Sequence, residues 1–244
     1  MRRLLLAAVA AFGILSHHAR AEDSLSPPRW SSDATFGGYD KAALQRGYLV
    51  YQTVCASCHS MNALHYRDLT ALGFDTAQVA ALASDVKLAD GPATMDSVFR
   101  NPYPDPAAAA AAFGGALPPD LSSFAATHRH GARHIFDLLT GYANPPADVT
   151  LLPDHFYNAA FPGGQIAMPP PLKDGQVAYA DGVKPTAAQE ASDVAAFLSW
   201  AADPNLDARK QIGLRMVLFL IFLTFLAIAT KRRIWREAPY TSPP

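Results

Sequence analysis

Apolar residues recur at helical spacing in four stretches of this 244-residue chain, separated by segments in which proline, glycine and polar residues break any period. The first stretch opens after Asp40, a suitable N-cap, and runs Leu44, Tyr48, Tyr51, Cys55, Cys58 at steps of four and three. It predicts an amphipathic helix with both thiols on its buried face. Asp75 or Thr76 opens a second helix with Val79, Leu82 and Val86 on one side. A third, over 132–142, presents Ile135, Phe136, Leu138 and Leu139. Thr186 with Gln189 three residues on reads as a capping box for a fourth, bearing Val194, Phe197, Leu198 and Ala201 and ending before Pro204.

The intervening segments read differently. Residues 23–38 suggest an extended lead-in. Pro92, Pro102, Pro104 and Pro106 forbid a single helix over 90–106, and the alanine run 107–112 predicts a short surface helix. Residues 143–185, rich in proline and glycine, read mostly as loop; a loop of that length in a compact domain points to function. The chain shows no internal repeat.

Two apolar runs lie near the ends. Arg2 and Arg3, the run Leu4 to Leu15 and the small-x-small triplet Ala19-Arg20-Ala21 predict a cleaved export signal over 1–21, with a mature chain starting at Glu22. Gly213 to Thr230 is apolar on every face and predicts a membrane anchor, with flanks spanning 209–233. Its charge-free part, Met216 to Thr230, spans only about 22 Å at 1.5 Å per residue, so Arg215 must snorkel outward for the run to cross. Lys231, Arg232, Arg233 and Arg236 follow it. By the positive-inside tendency the tail 234–244 is cytoplasmic and the body 22–208 periplasmic, on the inner (cytoplasmic) membrane.

Half of the residues are hydrophobic, ample for a packed core. The formal charge of −1 hides an asymmetry: residues 22–208 carry a formal −10 and residues 209–244 carry +6. An acidic body argues against a nucleic-acid partner and favours a basic one.

Both cysteines fall in Val54-Cys55-Ala56-Ser57-Cys58-His59, and C-x-x-C-H is the attachment pattern of a covalent haem c. Two thiols three apart face one side and can add to the two vinyl groups of a porphyrin, which brings the His59 imidazole beneath the iron. A thioredoxin-like pair needs no following histidine, a zinc site needs two further ligands, and a disulfide here would close a short, strained loop. For the second axial position Met61 is too close to His59, and Met216 lies in the membrane segment. Met168 sits between Gly163-Gly164 and Pro169-Pro170-Pro171, on a loop that can turn sharply and be held stiffly; Met95, beside Gly91-Pro92, is the reserve. Bis-histidine ligation by His65, His128, His130, His134 or His155 stays open, although the stretch Thr127 to His134 reads as surface.

These residues sit in a wider pattern. Tyr51 to Met61, Gly115-Ala116-Leu117-Pro118-Pro119-Asp120-Leu121-Ser122, Leu138 to Tyr142, Ile166-Ala167-Met168-Pro169-Pro170 and Phe197 to Ala202 fall in the order found in the cytochrome c1 family. The chain resembles that family, the haem subunits of the quinol:cytochrome c oxidoreductase (bc1 complex), over most of 39–236. The resemblance implies an all-α, class I-like c-type cytochrome domain with long loops, plus one C-terminal transmembrane helix. It implies one covalent haem c on Cys55 and Cys58, axial ligands His59 and Met168, and a haem contact from Pro118. It also implies a propionate contact from Arg129 in Arg129-His130-Gly131, though the spacing slips by one residue and His128 competes for that place. Two departures stand out: Met95 to Tyr103 is shorter than in the family, and Phe113-Gly114 replaces an Asn-Asn pair, an expected loss of a polar contact near the haem edge.

The implied role is electron transfer from the Rieske [2Fe-2S] protein to cytochrome c, in a complex with cytochrome b, by a subunit that is not an enzyme on its own and is held in lipid by its C-terminal helix. The alternatives are an anchored c-type cytochrome of another redox complex and a ligand-binding haem protein with an open iron position.

Overall fold

Asp40 accepts hydrogen bonds from the backbone N–H groups of Ala42 and Ala43, and the helix it caps, α1, covers Lys41–Thr53. The computed structural model describes residues 28–237; the expected export signal with its cleavage site, and residues 238–244 of the expected tail, lie outside the described residues. The other helices are α2 (Thr76–Ser84), α3 (Pro106–Ala112), α4 (Phe124–Thr127), α5 (Ala132–Thr140), α6 (Ala187–Ala202) and α7 (Leu206–Glu237). Among the described residues, strands are confined to two antiparallel ribbons whose strands have two residues each, β1 (Lys87–Leu88) with β2 (Gly91–Pro92) and β3 (Phe156–Tyr157) with β4 (Gln165–Ile166). The fold class is all-α, as the periodicity implies.

The first helix stops earlier than the stripe through Cys58 predicts. It ends at Thr53, and Cys55–Ser57 form a single 3-10 turn. Two β-branched residues, Thr53 and Val54, weaken the last turn, and the Ser57 hydroxyl donates to the Val54 carbonyl at 2.8 Å, occupying an acceptor the helix would otherwise use. The second helix also ends before Val86, which lies outside it.

The core forms where α1 packs on α6. Gly47 makes the approach possible: a Cβ there would lie 2.1 Å from the Asp193 carbonyl oxygen. Phe197 fills the crossing, with ring centroids 5.8 Å from Tyr48 and 5.7 Å from Tyr51. Asp193, on α6 and almost fully buried, accepts from Arg46 Nε at 2.9 Å and Nη2 at 3.0 Å, while Arg46 Nη1 reaches Asp181 at 2.6 Å. A buried carboxylate thus has the paired cation it requires. The cap of α6 is half of the expected box: Thr186 Oγ accepts from Gln189 N, but the Gln189 side chain donates to Asp193.

The last helix starts at Leu206, well before the apolar run. From Ile212 onward its large apolar side chains are exposed, Phe225 to 69 % of its surface. It is long and apolar enough to cross a membrane, and Lys231 Nζ lies 4.7 Å from the Trp235 ring centroid near its far end.

Candidate functional site

The α1–α6 pair delivers the C-x-x-C-H turn to a second segment some sixty residues on. Cys58 N and His59 N both donate to the Cys55 carbonyl, at 3.1 and 2.9 Å, closing a turn that leaves the two thiols unpaired. Leu121 N then donates to the Ser60 carbonyl at 2.9 Å. Asp120 accepts from Ser60 Oγ (2.8 Å), Asn62 N (2.9 Å) and Ser122 N (2.9 Å), and Ser122 Oγ accepts from Ala63 N. Burial pushes the Asp120 carboxyl up, but the bonds from Ser122, Asn62 and Ser60 together outweigh it and leave it below its ordinary value.

This seam places the Pro119 carbonyl oxygen 2.9 Å from His59 Nδ1. Since a carbonyl only accepts, Nδ1 carries the proton and Nε2 is left as a lone-pair donor. Partial burial lowers the His59 pKa, keeping the ring neutral. Both features are what a metal-ligating imidazole needs.

The thiols point the same way. The Cys55 pKa is pushed up to about 12 by burial and by the neighbouring Cys58 thiol. That environment disfavours the thiolate a zinc site or a redox pair uses, and suits a neutral thioether. Among the described residues no group of three or more His, Cys, Asp and Glu side chains converges to hold an ion, so the two further ligands of a zinc site are not at hand. Cys58, Pro118, Pro119 and Asp120 line a cleft of about 300 Å³, which also takes in Leu117 and Tyr103. The residues present therefore fit a covalent haem c.

Met168 follows β4 and is partly buried. Gly163 and Gly164, at φ 80° and 70°, make the β3–β4 turn in a conformation that favours glycine. The Tyr142 hydroxyl, just past α5, donates to the Met168 carbonyl at 3.0 Å. Asn158, fully buried, donates to the Leu138 carbonyl at 2.7 Å and accepts from Ala160 N, tying the same loop to α5. The other methionines of the body pack elsewhere: Met61 is fully buried in the core and Met95 lies against it.

Arg129 is exposed, and among the described residues no hydrogen bond or ion pair joins it to these segments. His128 instead stacks on Phe124 at 3.9 Å and on His134 at 5.2 Å, with Nδ1 2.9 Å from the Phe124 carbonyl. His65 packs at the start of a 3-10 segment, Tyr66–Leu72, and His155 Nδ1 lies 2.8 Å from its neighbour Pro153's carbonyl. Sequence reasoning gave no role to Asp120 or Asn158. Neither carries a local period, although Asp120 lies in the Gly115–Ser122 block.

Comparison with known proteins gives the same picture. A model of the Cytochrome C1 family matches residues 30–238. The chain is 39 % identical over 268 residues to cytochrome c1 of Rhodospirillum rubrum, covering 98 % of each. It is 40 % identical over 228 residues to the mitochondrial "Cytochrome c1, heme protein" of Saccharomyces cerevisiae, covering 88 % of this chain and 74 % of that one. It is also 39 % identical over 269 residues to the longer "Cytochrome b/c1" of Bradyrhizobium diazoefficiens, covering 96 % of this chain and 39 % of that protein.

Proposed function

The chain belongs to the cytochrome c1 family, and from that premise we propose that Cys55 and Cys58 would carry its haem covalently while His59 and Met168 would supply the side-chain ligands to the iron. It is a haem protein that transfers electrons as a subunit of the bc1 complex and is not an enzyme by itself. The observation that carries the site assignment is the 2.9 Å contact between His59 Nδ1 and the Pro119 carbonyl, which leaves Nε2 as the ligand atom. The haem, when bound, supplies a one-electron Fe(III)/Fe(II) couple. What the chain supplies is position: the Asp120 seam holds His59, the Tyr142 and Asn158 bonds hold the Met168 loop, and Pro118 walls the cleft beside Cys58. A stiff ligand set keeps the reorganisation cost of each electron step low. Arg129, with His128 as its competitor, is the proposed partner of the propionates.

Membership of the bc1 complex implies cytochrome b and the Rieske protein as neighbours, and a relative named cytochrome b/c1 supports the first. We place the Rieske cluster as electron donor and a basic cytochrome c as acceptor, in keeping with the formal −10 of residues 22–208. The apolar helix α7 fits a single-pass membrane protein. The proposed division is a signal over 1–21, a periplasmic haem domain over 22–208, an anchor over 209–233 and a cytoplasmic tail over 234–244.

Purification of the native membrane complex tests this reading. Denatured, acid-acetone-washed chain should retain one haem, and the intact complex should reduce it with quinol and show no carbon monoxide binding. Loss of all haem from the washed chain would refute the covalent assignment.

A further inference from the structure

The start of α7 is clasped by a part of the chain that the electron-transfer role does not use. Lys210 Nζ donates to three carbonyl oxygens, those of Ser32 (2.6 Å), Ala34 (2.7 Å) and Gly37 (3.1 Å), which accounts for all three of its protons. One helical turn earlier, Asp207 accepts from Tyr39 N at 3.1 Å. Gly37 thus meets Lys210 and Tyr39 meets Asp207, so the loop is fixed to the first turns of α7, just before the apolar run. Phe36 lies between Ala34 and Gly37, two of the residues whose carbonyls Lys210 holds.

The loop is rigid. Asp33 N, Ala34 N and Gly37 N donate to the carbonyls of Trp30, Ser31 and Ala34, and Ser31 Oγ donates to the Gly38 carbonyl at 2.7 Å. A Cβ on Gly37 would lie 1.8 Å from the Ser31 carbonyl oxygen, so the closure requires glycine. Trp30 anchors the loop to the body through Ser192 and Phe136. Yet Phe36 projects from it with 80 % of its surface exposed. An aromatic ring held outward by a stiff frame, with no core to enter, sits beside a helix whose exposed apolar surface begins at Ile212, about 3 Å further along the axis than Lys210. The headgroup layer is roughly 5–7 Å thick, comparable to the distance of about 3–8 Å by which Lys210 and Asp207, the residues that grip the loop, precede Ile212.

We propose that the Ser31–Gly37 loop is a second membrane contact of this chain, with Phe36 inserted among the lipid headgroups beside the outer end of α7. Two attachment points joined by the Lys210 clasp fix the tilt of the haem domain over the bilayer, where a lone helix would leave it free to swing. The inference rests on the reading of α7 as a membrane span.

In the holoprotein Cys55 and Cys58 are thioethers, so an introduced cysteine is the one reactive thiol. Nitroxide labels on F36C, L220C and S84C are compared in the full-length holoprotein in phosphatidylcholine–phosphatidylglycerol vesicles, by collision with oxygen and with an aqueous nickel chelate. The oxygen-to-nickel ratio at position 36 is expected to exceed that at 84 several-fold and to fall below that at 220. A ratio at 36 equal to that at 84, with 220 in lipid, overturns the loop contact and leaves the span intact. Aqueous ratios at all three positions overturn the span and the inference with it. Shielding of position 36 from both reagents overturns it in favour of a protein contact.

Discussion

His59 Nδ1 and the Pro119 carbonyl oxygen, sixty positions apart in sequence, lie 2.9 Å from each other, and that contact sets the tautomer of the histidine proposed as the iron ligand. Proline is suited to the task. Its lack of an N–H leaves the carbonyl as the one backbone polar group it can offer. The contact is only as good as the seam that carries Pro119, and the seam is held by Asp120.

Replacing Asp120 with alanine removes the acceptor of three donors, Ser60 Oγ, Asn62 N and Ser122 N. The expected cost is about 1–3 kcal/mol, read from the denaturant midpoint of the holoprotein. Because the Asp120 pKa is lowered in the fold, its contribution is complete above the ordinary carboxyl value of about 4 and is lost as pH falls through the folded value. Wild type and D120A should therefore differ at neutral pH and converge on acidification. A constant gap would show that the carboxylate is not the stabilising group.

Met168→Leu should leave the haem attached, since the thioethers and His59 are untouched, but open the iron to carbon monoxide and lower the reduction potential. The far-red sulfur-to-iron band should vanish. Met95→Leu is the control and should change neither, because Met95 packs against the core. Unchanged spectra in M168L would move the ligand to another side chain.

Gly47→Ala asks a 2.1 Å gap to the Asp193 carbonyl to accept a methyl group. Helices α1 and α6 would have to separate, disturbing Phe197 and the Arg46–Asp193 pair with it. The expected loss is roughly 1–3 kcal/mol, from overpacking. Thermal unfolding of the holoprotein measures it. Since α1 leads directly into the Cys55–Ser57 turn, the visible absorption bands of the bound haem should broaden as well.

Helices α1, α2 and α6 were legible because each combines a buried stripe with capping or breaking residues at its ends, as Asp40, Asp75, Thr186 and Pro204 do, and α5 from its stripe alone. The cysteines and His59 stand out in the sequence because the chemistry proposed for them depends on spacing within one turn. What holds them does not. The end of α1 depends on the Ser57 hydroxyl competing for a backbone carbonyl, and the long loop depends on Asn158 reaching Leu138. Such bonds join a side chain to a distant or non-periodic partner and leave no repeating mark in the sequence. The early start of α7 was hidden for a related reason: its first turns are polar and are fixed by Asp207 and Lys210 gripping residues near 31–39.

Glu190 gives the body a pH dependence opposite in sign to that of Asp120. It is fully buried on α6, with Oε1 accepting from Val177 N at 3.0 Å and, among the described residues, no partner for Oε2. Burial raises its pKa above the ordinary carboxyl value, so its contribution is complete below about 4.3 and is lost as pH rises through the folded value, when a buried charge must form. Glu190→Gln keeps an acceptor for Val177 and never ionises. The variant should match wild type near pH 4 and exceed it in Tm by several degrees at pH 8, with the gap opening as pH rises. Parallel melting curves across that range would mean that Glu190 does not change its charge state within it, and that the orphaned oxygen is satisfied by water.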